Sequence, residues 1–419
     1  VKIPTALRQL TGDAWLLFAT RFVRLFAYGS LSVVLVFYLI GIGLTEPQTG
    51  LLLTFTLIGD TVVSLYLTTR ADRIGRRRML VVGALLMVGA GLVFASTRQL
   101  WLLVLAGTIG VISPSGNEVG PFLSIEQAAL SHVVTDRIRT EVFAWYTLTG
   151  SVATAIGALA GGSVTRVLQQ TALPPVSSYR MVVVLYALLG ALLAIFFSRL
   201  SPAAEAATLG ERQVFRATFA GLSGLDRSRD VVVKLSALFA LDAFGGGFVV
   251  QSFAAYWFYL RFGVNPGTLG AIFFWANIFA GISALLASRL AARWGLIRTM
   301  VATHLPSNIL LILVPLMPTL PLAILVLLIR FSISQMDVPT RQSYIMAVVS
   351  PEERSAAAGI TGVARTTGAA ISPLFVGFMF ARPALINLPF FIAGTLKIVY
   401  DLALYKAFVA IRPPEEMQR

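Results

Sequence analysis

Long apolar runs alternate with short polar turns along almost the whole sequence. A membrane core about 30 Å thick is crossed by a helix of roughly 20 apolar residues. The pattern therefore predicts twelve membrane-spanning helices, which we number as spans 1 to 12 in chain order. They fall near residues 14–42, 48–69, 79–97, 100–133, 141–167, 179–199, 231–260, 267–290, 297–317, 320–349, 354–381 and 385–409.

One long polar stretch, residues 200–230, separates spans 6 and 7. It contains Glu205, Glu211, Arg212, Arg216, Asp226, Arg227 and Arg229. We predict an N-terminal six-helix bundle at 1–199, a cytoplasmic linker at 200–230 and a C-terminal six-helix bundle at 231–419. The predicted fold class is an all-α membrane protein built from two six-helix bundles.

Composition agrees with a membrane protein and narrows the possible chemistry. The chain is 57% hydrophobic and 12% charged, with a mean hydropathy of +0.82, whereas a soluble protein carries about 25% charged residues. The net charge of +14 comes from basic residues in short loops. This distribution predicts cytoplasmic termini rather than nucleic-acid binding. With no cysteine and two histidines, we expect no disulfide, no conventional transition-metal site and no cofactor.

The most specific motif lies between spans 2 and 3, where five arginines surround Gly75 in Thr68-Thr69-Arg70-Ala71-Asp72-Arg73-Ile74-Gly75-Arg76-Arg77-Arg78. This stretch resembles the Gly-x-x-x-Asp-Arg-x-Gly-Arg-Arg signature of the major facilitator superfamily, with Thr68 in place of the first glycine. The resemblance implies a cytoplasmic loop and a gating role for Asp72, Gly75 and Arg76. It also implies that Asp72 faces the start of span 11 near Ser355 and braces the outward-open state. The alternative is a loop that only sets membrane topology.

The two halves of the sequence are repeats of each other. Ala71-Asp72-Arg73-Ile74-Gly75-Arg76-Arg77-Arg78 aligns with Ala291-Ala292-Arg293-Trp294-Gly295-Leu296-Ile297-Arg298 at an offset of 220 (295 − 75). The same offset pairs Gly43 with Gly263 and Gly50 with Gly270. Further along, an offset of 215 pairs Glu126 with Arg341 (341 − 126) and Gly162 with Gly377 (377 − 162). Parallel six-helix repeats are a property of the superfamily that the motif resembles.

Six charged residues fall inside predicted spans at a similar depth, about 15 Å from the nearest loop by helical rise. A charge at this depth costs several kcal/mol and is a functional-site hypothesis. The three cations and three anions predict ion pairs that rearrange when a proton or substrate enters. The alternative is a set of static pairs that hold the halves together. The six residues are Arg24, Asp60, Glu126, Asp242, Arg341 and Arg365.

The resemblance implies that spans 1, 4, 7 and 10 line a central cavity and that spans 2, 5, 8 and 11 flank it. On this basis, the repeat-equivalent Glu126 and Arg341 are predicted to face each other across the cleft.

Three segments within the spans are unsuited to a regular helix. Pro114-Ser115-Gly116-Asn117-Glu118-Val119-Gly120-Pro121 is too rich in proline and glycine, and Glu118 joins the candidate site. Gly245-Gly246-Gly247 predicts a flexing point beside Asp242, although helix packing could also explain these glycines.

Asp337 and Pro339 predict a further break in span 10, and Asp337 is another candidate site residue. The spacing of Asp337 and Arg341 allows either an intrahelical ion pair or a proton site. Lys397 and Asp401 in span 12 have the same spacing and predict a structural pair.

The sequence predicts a secondary active transporter rather than an enzyme. No phosphate-binding loop of the Gly-x-x-x-x-Gly-Lys-Ser/Thr type occurs, and no nucleophile–base arrangement stands out. We expect a monomeric, multi-pass protein of the cell (inner or plasma) membrane that moves a small organic solute by alternating access. A carboxyl group in apolar surroundings can titrate near neutrality, which favours coupling to protons. The candidate carriers are Asp60, Glu126, Asp242 and Asp337.

Two substrate classes fit the sequence. Export of amphipathic compounds is preferred because span 7 is rich in aromatic residues. In addition, the glycines from Gly150 to Gly162 in span 5 are similar to a motif of the superfamily's drug/proton antiporters. The alternative is an organic anion held by Arg24, Arg341 and Arg365, since guanidinium groups bind carboxylate and phosphate bidentately. A non-transporting sensor or scaffold on the same fold is the remaining alternative.

Overall fold

The computed structural model describes residues 5–118, 120–171, 173–205, 225, 228–350 and 353–411. These residues form helices and connecting turns without a strand, which confirms the all-α class. After one helical turn at Thr5–Arg8, the described N-terminal half contains seven helices: α1 (Gly12–Gly41), α2 (Glu46–Ile74), α3 (Arg76–Ser96), α4 (Leu100–Ile109), α5 (Phe122–Val133), α6 (Asp136–Gln170) and α7 (Pro175–Ser198).

The described C-terminal half contains eight α-helices: α8 (Arg229–Gly247), α9 (Gln251–Phe262), α10 (Pro266–Trp294), α11 (Leu296–Leu313), α12 (Leu320–Phe331), α13 (Asp337–Val348), α14 (Arg354–Phe380) and α15 (Leu388–Phe408). Within the described residues, ten helical segments are long and apolar enough to cross a membrane. The other two predicted spans, 4 and 10, begin with the shorter apolar helices α4 and α12.

Spans 4, 7 and 10 are each divided into two helices. The breaks in spans 4 and 7 fall at the predicted proline- and glycine-rich segments, and the break in span 10 lies just before Asp337 and Pro339, which are inside the second helix. α4 ends at Ile109 and α5 begins at Phe122. α8 ends at Gly247, the last of three consecutive glycines, and α9 begins at Gln251. α12 ends at Phe331 and α13 begins at Asp337. At these breaks, backbone groups are free of helical hydrogen bonds, and loop side chains lie at depths that a continuous helix would otherwise cross.

Glycines at repeat-equivalent positions make the turns on both faces of the molecule. Gly75 between α2 and α3 has φ 116°, and Gly295 between α10 and α11 has φ 83°. Positive φ values of this kind favour glycine because it lacks Cβ. We call the face with these two turns the motif face. The opposite side, where Gly43 and Gly263 also have positive φ, is the far face.

The two halves meet closely at the far face through two glycine pairs. α2 packs against α14 where Gly50 meets Gly377, and α6 packs against α10 where Gly162 meets Gly270. A Cβ added to Gly50 would lie 3.0 Å from the Cα of Gly377, and one added to Gly162 would lie 2.9 Å from the Cα of Gly270. The sequence repeat relates Gly50 to Gly270 and Gly162 to Gly377. The repeat that relates the two halves therefore maps each of these glycine contacts onto the other.

α1 is the most enclosed membrane-spanning helix. The most apolar window of α1 is 83% buried, compared with 39–56% for the other candidate spans. It packs against α6, α7 and α9, so polar groups on α1 face protein rather than lipid. Most of the predicted linker lies outside the described residues, and the domain boundaries stay a prediction.

Candidate functional site

Two arginines of α1 bind two carboxylates of span 4 in a buried cluster, which we call the N-network (Arg21, Arg24, Glu118 and Glu126). Arg24 holds Glu126 through two hydrogen bonds of 2.7 Å, NH1 to Oε1 and NH2 to Oε2. Arg24 also donates to Glu118 at 3.2 Å, and Arg21 lies 2.6 Å from the same carboxylate. The N-network therefore contains two cations and two anions, all within the N-terminal half.

Neighbouring polar and aromatic groups complete the N-network. The hydroxyl of Thr20 donates to Glu126 at 2.9 Å, and the hydroxyl of Tyr146 donates to the other oxygen of that carboxylate. Glu118 lies in the segment between α4 and α5, so the predicted helix break brings this side chain to α1. Its side chain is 19% exposed, whereas Arg24 and Glu126 are fully buried. Glu118 is thus the member of the N-network open to solvent.

A second buried cluster, the C-network, lies between α8, α11, α13 and α15. Asp242 lies 2.6 Å from the Nζ of Lys397 and 3.5 Å from NH1 of Arg341. Arg341 also forms an ion pair of 2.9 Å with Asp337, the intrahelical pair that their spacing allows. The members of the C-network are Asp242, His304, Asn308, Asp337, Arg341, Lys397 and Asp401.

The predicted pair between Lys397 and Asp401 is wrong. Lys397 binds Asp242 on α8, while Asp401 accepts hydrogen bonds from His304 at 2.8 Å and from Asn308 at 2.9 Å. Both side chains point from α15 toward the interior of the C-terminal half. There, Lys397 makes the shortest cationic contact of Asp242. Span 12, which is in neither the lining nor the flanking set of spans, therefore supplies two groups to the interior of the C-terminal half.

The single set of rearranging ion pairs predicted from the sequence is divided into two networks. Glu126 binds partners in the N-terminal half, and Arg341 binds partners in the C-terminal half. Each ion pair of these two networks lies within one half. Charge is thus compensated inside each half, and the expected placement of Glu126 opposite Arg341 across the cleft stays a prediction.

Two predicted site residues stand outside these networks. Asp60 on α2 is 8% exposed and accepts hydrogen bonds from the backbone N–H of Gly120 and, at 3.4 Å, from the hydroxyl of Ser64. Within the described part of the chain, Asp60 has no cationic partner. Arg365 on α14 is partly exposed, and it forms no ion pair with a described residue. These residues are a buried carboxyl group and a guanidinium group without counter-charges in contact.

The broken spans of the two halves meet below the far face. Ser252, at the start of α9, donates its backbone N–H (3.1 Å) and its hydroxyl to the carbonyl of Pro114 in span 4. Gln251 donates to Ser32 of α1 at 2.8 Å and accepts from Asn277 of α10 at 3.1 Å. These polar groups were missed from the sequence because they are uncharged. For Gln251 and Ser252, the signal in the sequence is their position shortly after the three glycines that end α8.

The arginine-rich motif around Gly75 binds its own half. Asp72 forms an ion pair of 2.7 Å with Arg76, and NH1 of Arg76 donates to the carbonyl of Ala128 at 3.2 Å. The carboxylate of Glu205 accepts the backbone N–H groups of Arg76 at 2.6 Å and Arg77 at 3.2 Å. The side chain of Ser355 lies outside the described residues, so the expected contact of Asp72 with span 11 stays a prediction.

The described residues hold no group of three histidine, cysteine, aspartate or glutamate side chains arranged to bind a metal ion.

Comparison with known proteins places these features in a wider context. Residues 17–373 match the family model described as Major Facilitator Superfamily. The chain is 32% identical over 424 residues to a protein of Saccharomyces cerevisiae named uncharacterized membrane protein YJR124C, across 95% of this chain and 94% of that protein. It is also 31% identical over 112 residues to a Na(+), Li(+), K(+)/H(+) antiporter of Planococcus maritimus, across 27% of this chain and 26% of the antiporter.

A solved structure shares the overall fold. The nucleoside transporter NupG superposes with a TM-score of 0.74 at 14% sequence identity, covering 95% of this chain and 99% of that chain. At this identity, the likeness concerns the arrangement of helices.

Proposed function

This chain belongs to the major facilitator superfamily, and from that membership we propose that it is a proton-coupled secondary transporter of a small organic solute. The observation that carries the proposal is the pair of glycine contacts that close the far face. Gly50 with Gly377 and Gly162 with Gly270 join the halves without intervening side chains. Backbones in such close contact can separate as rigid surfaces, which is the motion that alternating access requires.

The membrane orientation of the proposal follows from charge. The motif face carries the arginine-rich loop around Gly75, and basic loops remain on the cytoplasmic side of membranes. We therefore place the motif face and both termini in the cytoplasm of a cell whose surface membrane holds the protein. In this orientation, the structure is closed toward the outside, where the two glycine contacts lie.

Proton coupling is supported by Asp60. Its carboxyl group is buried and hydrogen-bonded to Gly120, with no cationic partner among the described residues. Such a group takes up a proton without the loss of an ion pair, whereas the carboxylates of Glu126, Asp242 and Asp337 each have one. The antiporter of Planococcus maritimus, which matches about a quarter of this chain, has a name that includes proton exchange. We assign the coupling proton first to Asp60.

For the substrate, the geometry favours an organic anion over an amphipathic cation. The aromatic residues that suggested export of amphipathic compounds are buried in packing: Tyr256 stacks on Tyr259, and Trp257 lies 4.6 Å from Phe390 between ring centroids. Arg365, by contrast, is partly exposed and without an ion pair among described residues. A carboxylate or phosphate group of the substrate would supply the missing partner.

The proposal is tested by thermal unfolding of the detergent-purified protein at pH 6 and pH 8. The compounds are mono- and dicarboxylates, sugar phosphates, and the lipophilic cations tetraphenylphosphonium and ethidium. We expect stabilisation by an anion that is lost in Arg365→Gln and kept in the matched control Arg382→Gln, an exposed arginine at the far face. Stabilisation by the cations alone, or by an anion in Arg365→Gln as well, would contradict the anion assignment.

Transport itself is tested with the stabilising anion in proteoliposomes that contain the pH dye pyranine. We expect the anion and protons to cross together, and Asp60→Asn to separate solute movement from the pH change. Uptake without any pH change would contradict proton coupling. Binding without uptake would favour a sensor or scaffold on the same fold.

A further inference from the structure

His304 has a carboxylate at each of its two ring nitrogens. Nδ1 lies 2.8 Å from Oδ1 of Asp401 on α15, and Nε2 lies 3.8 Å from Oδ1 of Asp242 on α8. The ring itself is buried on α11, with 5% exposure. A neutral imidazole has one N–H and one lone pair, so one nitrogen would turn a lone pair toward a carboxylate. Only the doubly protonated ring presents an N–H to both.

The count of charges in the C-network leads to the same result. Its carboxylates are Asp242, Asp337 and Asp401, and its permanent cations are Arg341 and Lys397. An unmatched charge in such a buried site is costly. One proton on His304 makes three cations for three anions. The N-network is different, because its two arginines balance its two glutamates without any added proton.

The other ionisable groups near His304 do not replace this proton. Arg330 on α12 and Arg365 on α14 interact electrostatically with Asp242 and Asp337. Both arginines are partly exposed, and neither forms an ion pair within the described residues. The Nε atom of each is buried without a hydrogen-bond partner, so neither arginine supplies a contact to the carboxylates that flank His304. Tyr400 packs edge-on against the ring of His304, with 5.8 Å between centroids, and contributes no permanent charge.

We propose that His304 is a proton-binding site, in which one proton from solvent is held on the imidazole between Asp242 and Asp401. The site goes beyond the proposed function. It lies on spans 7, 9 and 12 of the C-terminal half, whereas Asp60 lies on span 2 of the N-terminal half. The site is also connected to the packing of two helices. The same Oδ1 of Asp242 that faces Nε2 accepts a hydrogen bond from Lys397 at 2.6 Å. The charge on His304 thus acts on the contact that fastens α8 to α15.

The sequence makes this proposal directly measurable because the chain has two histidines. His132 is exposed, and His132→Asn leaves His304 as the single histidine. Solid-state NMR of this variant in lipid bilayers, with 15N-labelled histidine, distinguishes the two neutral tautomers from the charged ring. We expect a charged ring at pH 6 with both nitrogens protonated, and conversion to the neutral ring as the pH is raised.

Variants in the same single-histidine background identify the cause. Asp401→Asn removes an acceptor of the charged ring, so the ring should lose its proton at a lower pH than in the parent. The matched control Asp230→Asn removes an exposed carboxylate of α8 and should leave the titration unchanged. If Asp401→Asn does not fold, the spectra of the single-histidine parent His132→Asn still test the proposal. A ring that stays neutral in one tautomer from pH 5 to pH 9 overturns the proposal. None of these measurements requires transport, so their outcome is separate from that of the proton-coupling test.

Discussion

The guanidinium of Arg24 binds the carboxylate of Glu126 through two parallel hydrogen bonds of 2.7 Å, and both side chains are completely shielded from solvent. This pair joins α1 to α5 across the interior of the N-terminal half. Charge-assisted bidentate bonds are both stronger and more directional than single neutral ones. The pair therefore fixes the second half of span 4 relative to α1.

Glu126→Gln should strongly destabilise the protein. The substitution leaves Arg24 buried beside a neutral amide, and breaking one partner of a buried pair costs about 3–5 kcal/mol. Equilibrium unfolding by SDS titration in mixed micelles measures the change. Glu141→Gln, which removes an exposed carboxylate of α6, is the control and should stay near wild type. Equal stability of the two variants would show that the buried pair contributes little.

Gly162→Ala should shift the protein away from the state closed at the far face. The added methyl group would fall on the carbonyl of Pro266 and 2.9 Å from the Cα of Gly270. Two rigid backbones cannot both stay in place at that separation, so the halves should part at this face. Gly89→Ala is the matched control, since no atom lies within 4 Å of the position of its added Cβ.

Spin labels can report this shift because the wild-type chain has no cysteine. Leu173→Cys and Arg382→Cys place one label on each half in exposed far-face loops. Pulsed electron–electron double resonance should show longer distances between the labels in Gly162→Ala than in Gly89→Ala. Identical distance distributions in the two proteins would refute the role assigned to the glycine contact.

Glu205→Ala should loosen the start of α3 at the motif face. The carboxylate of Glu205 accepts two N–H groups that have no partner within the helix, and the helix dipole adds to the attraction. Loss of such a cap costs about 1 kcal/mol. Hydrogen exchange followed by mass spectrometry should show faster exchange at Arg76 and Arg77, with α15 unchanged. Unaltered exchange at these two amides would mean that solvent replaces the carboxylate without loss.

Asp60→Asn and Asp60→Leu should differ in stability. The amide oxygen of asparagine can still accept the N–H of Gly120, which Asp60 accepts in the wild-type protein. Leucine leaves that donor without its partner, at a cost of about 1–3 kcal/mol. Thermal unfolding of both purified variants should therefore place Asp60→Asn near wild type and Asp60→Leu well below it. Equal destabilisation of the two variants would indicate that the negative charge, rather than the hydrogen bond, stabilises the site.

The helices and their breaks could be predicted from the sequence because they depend on local composition. Runs of apolar residues set the spans, and the glycines and prolines at Pro114–Pro121 and Gly245–Gly247 set the interruptions. Glu118 was found in this way. The choice of ion-pair partners could not be predicted, since it depends on which helix faces which. Lys397 and Asp401 have the spacing of an intrahelical pair, but Asp242 and His304 on neighbouring helices bind them instead.

Charge compensation inside each half has an electrical consequence. Moving one elementary charge through a membrane potential of 100 mV requires about 2.3 kcal/mol. The N-network carries two positive and two negative charges, so tilting the N-terminal half through the field does almost no electrical work. The C-network is neutral only while His304 keeps its proton. Voltage would then act on the transport cycle mainly through that proton, through Asp60 and Arg365, which form no ion pair among the described residues, and through the charge of the solute, whereas the two networks themselves would contribute little.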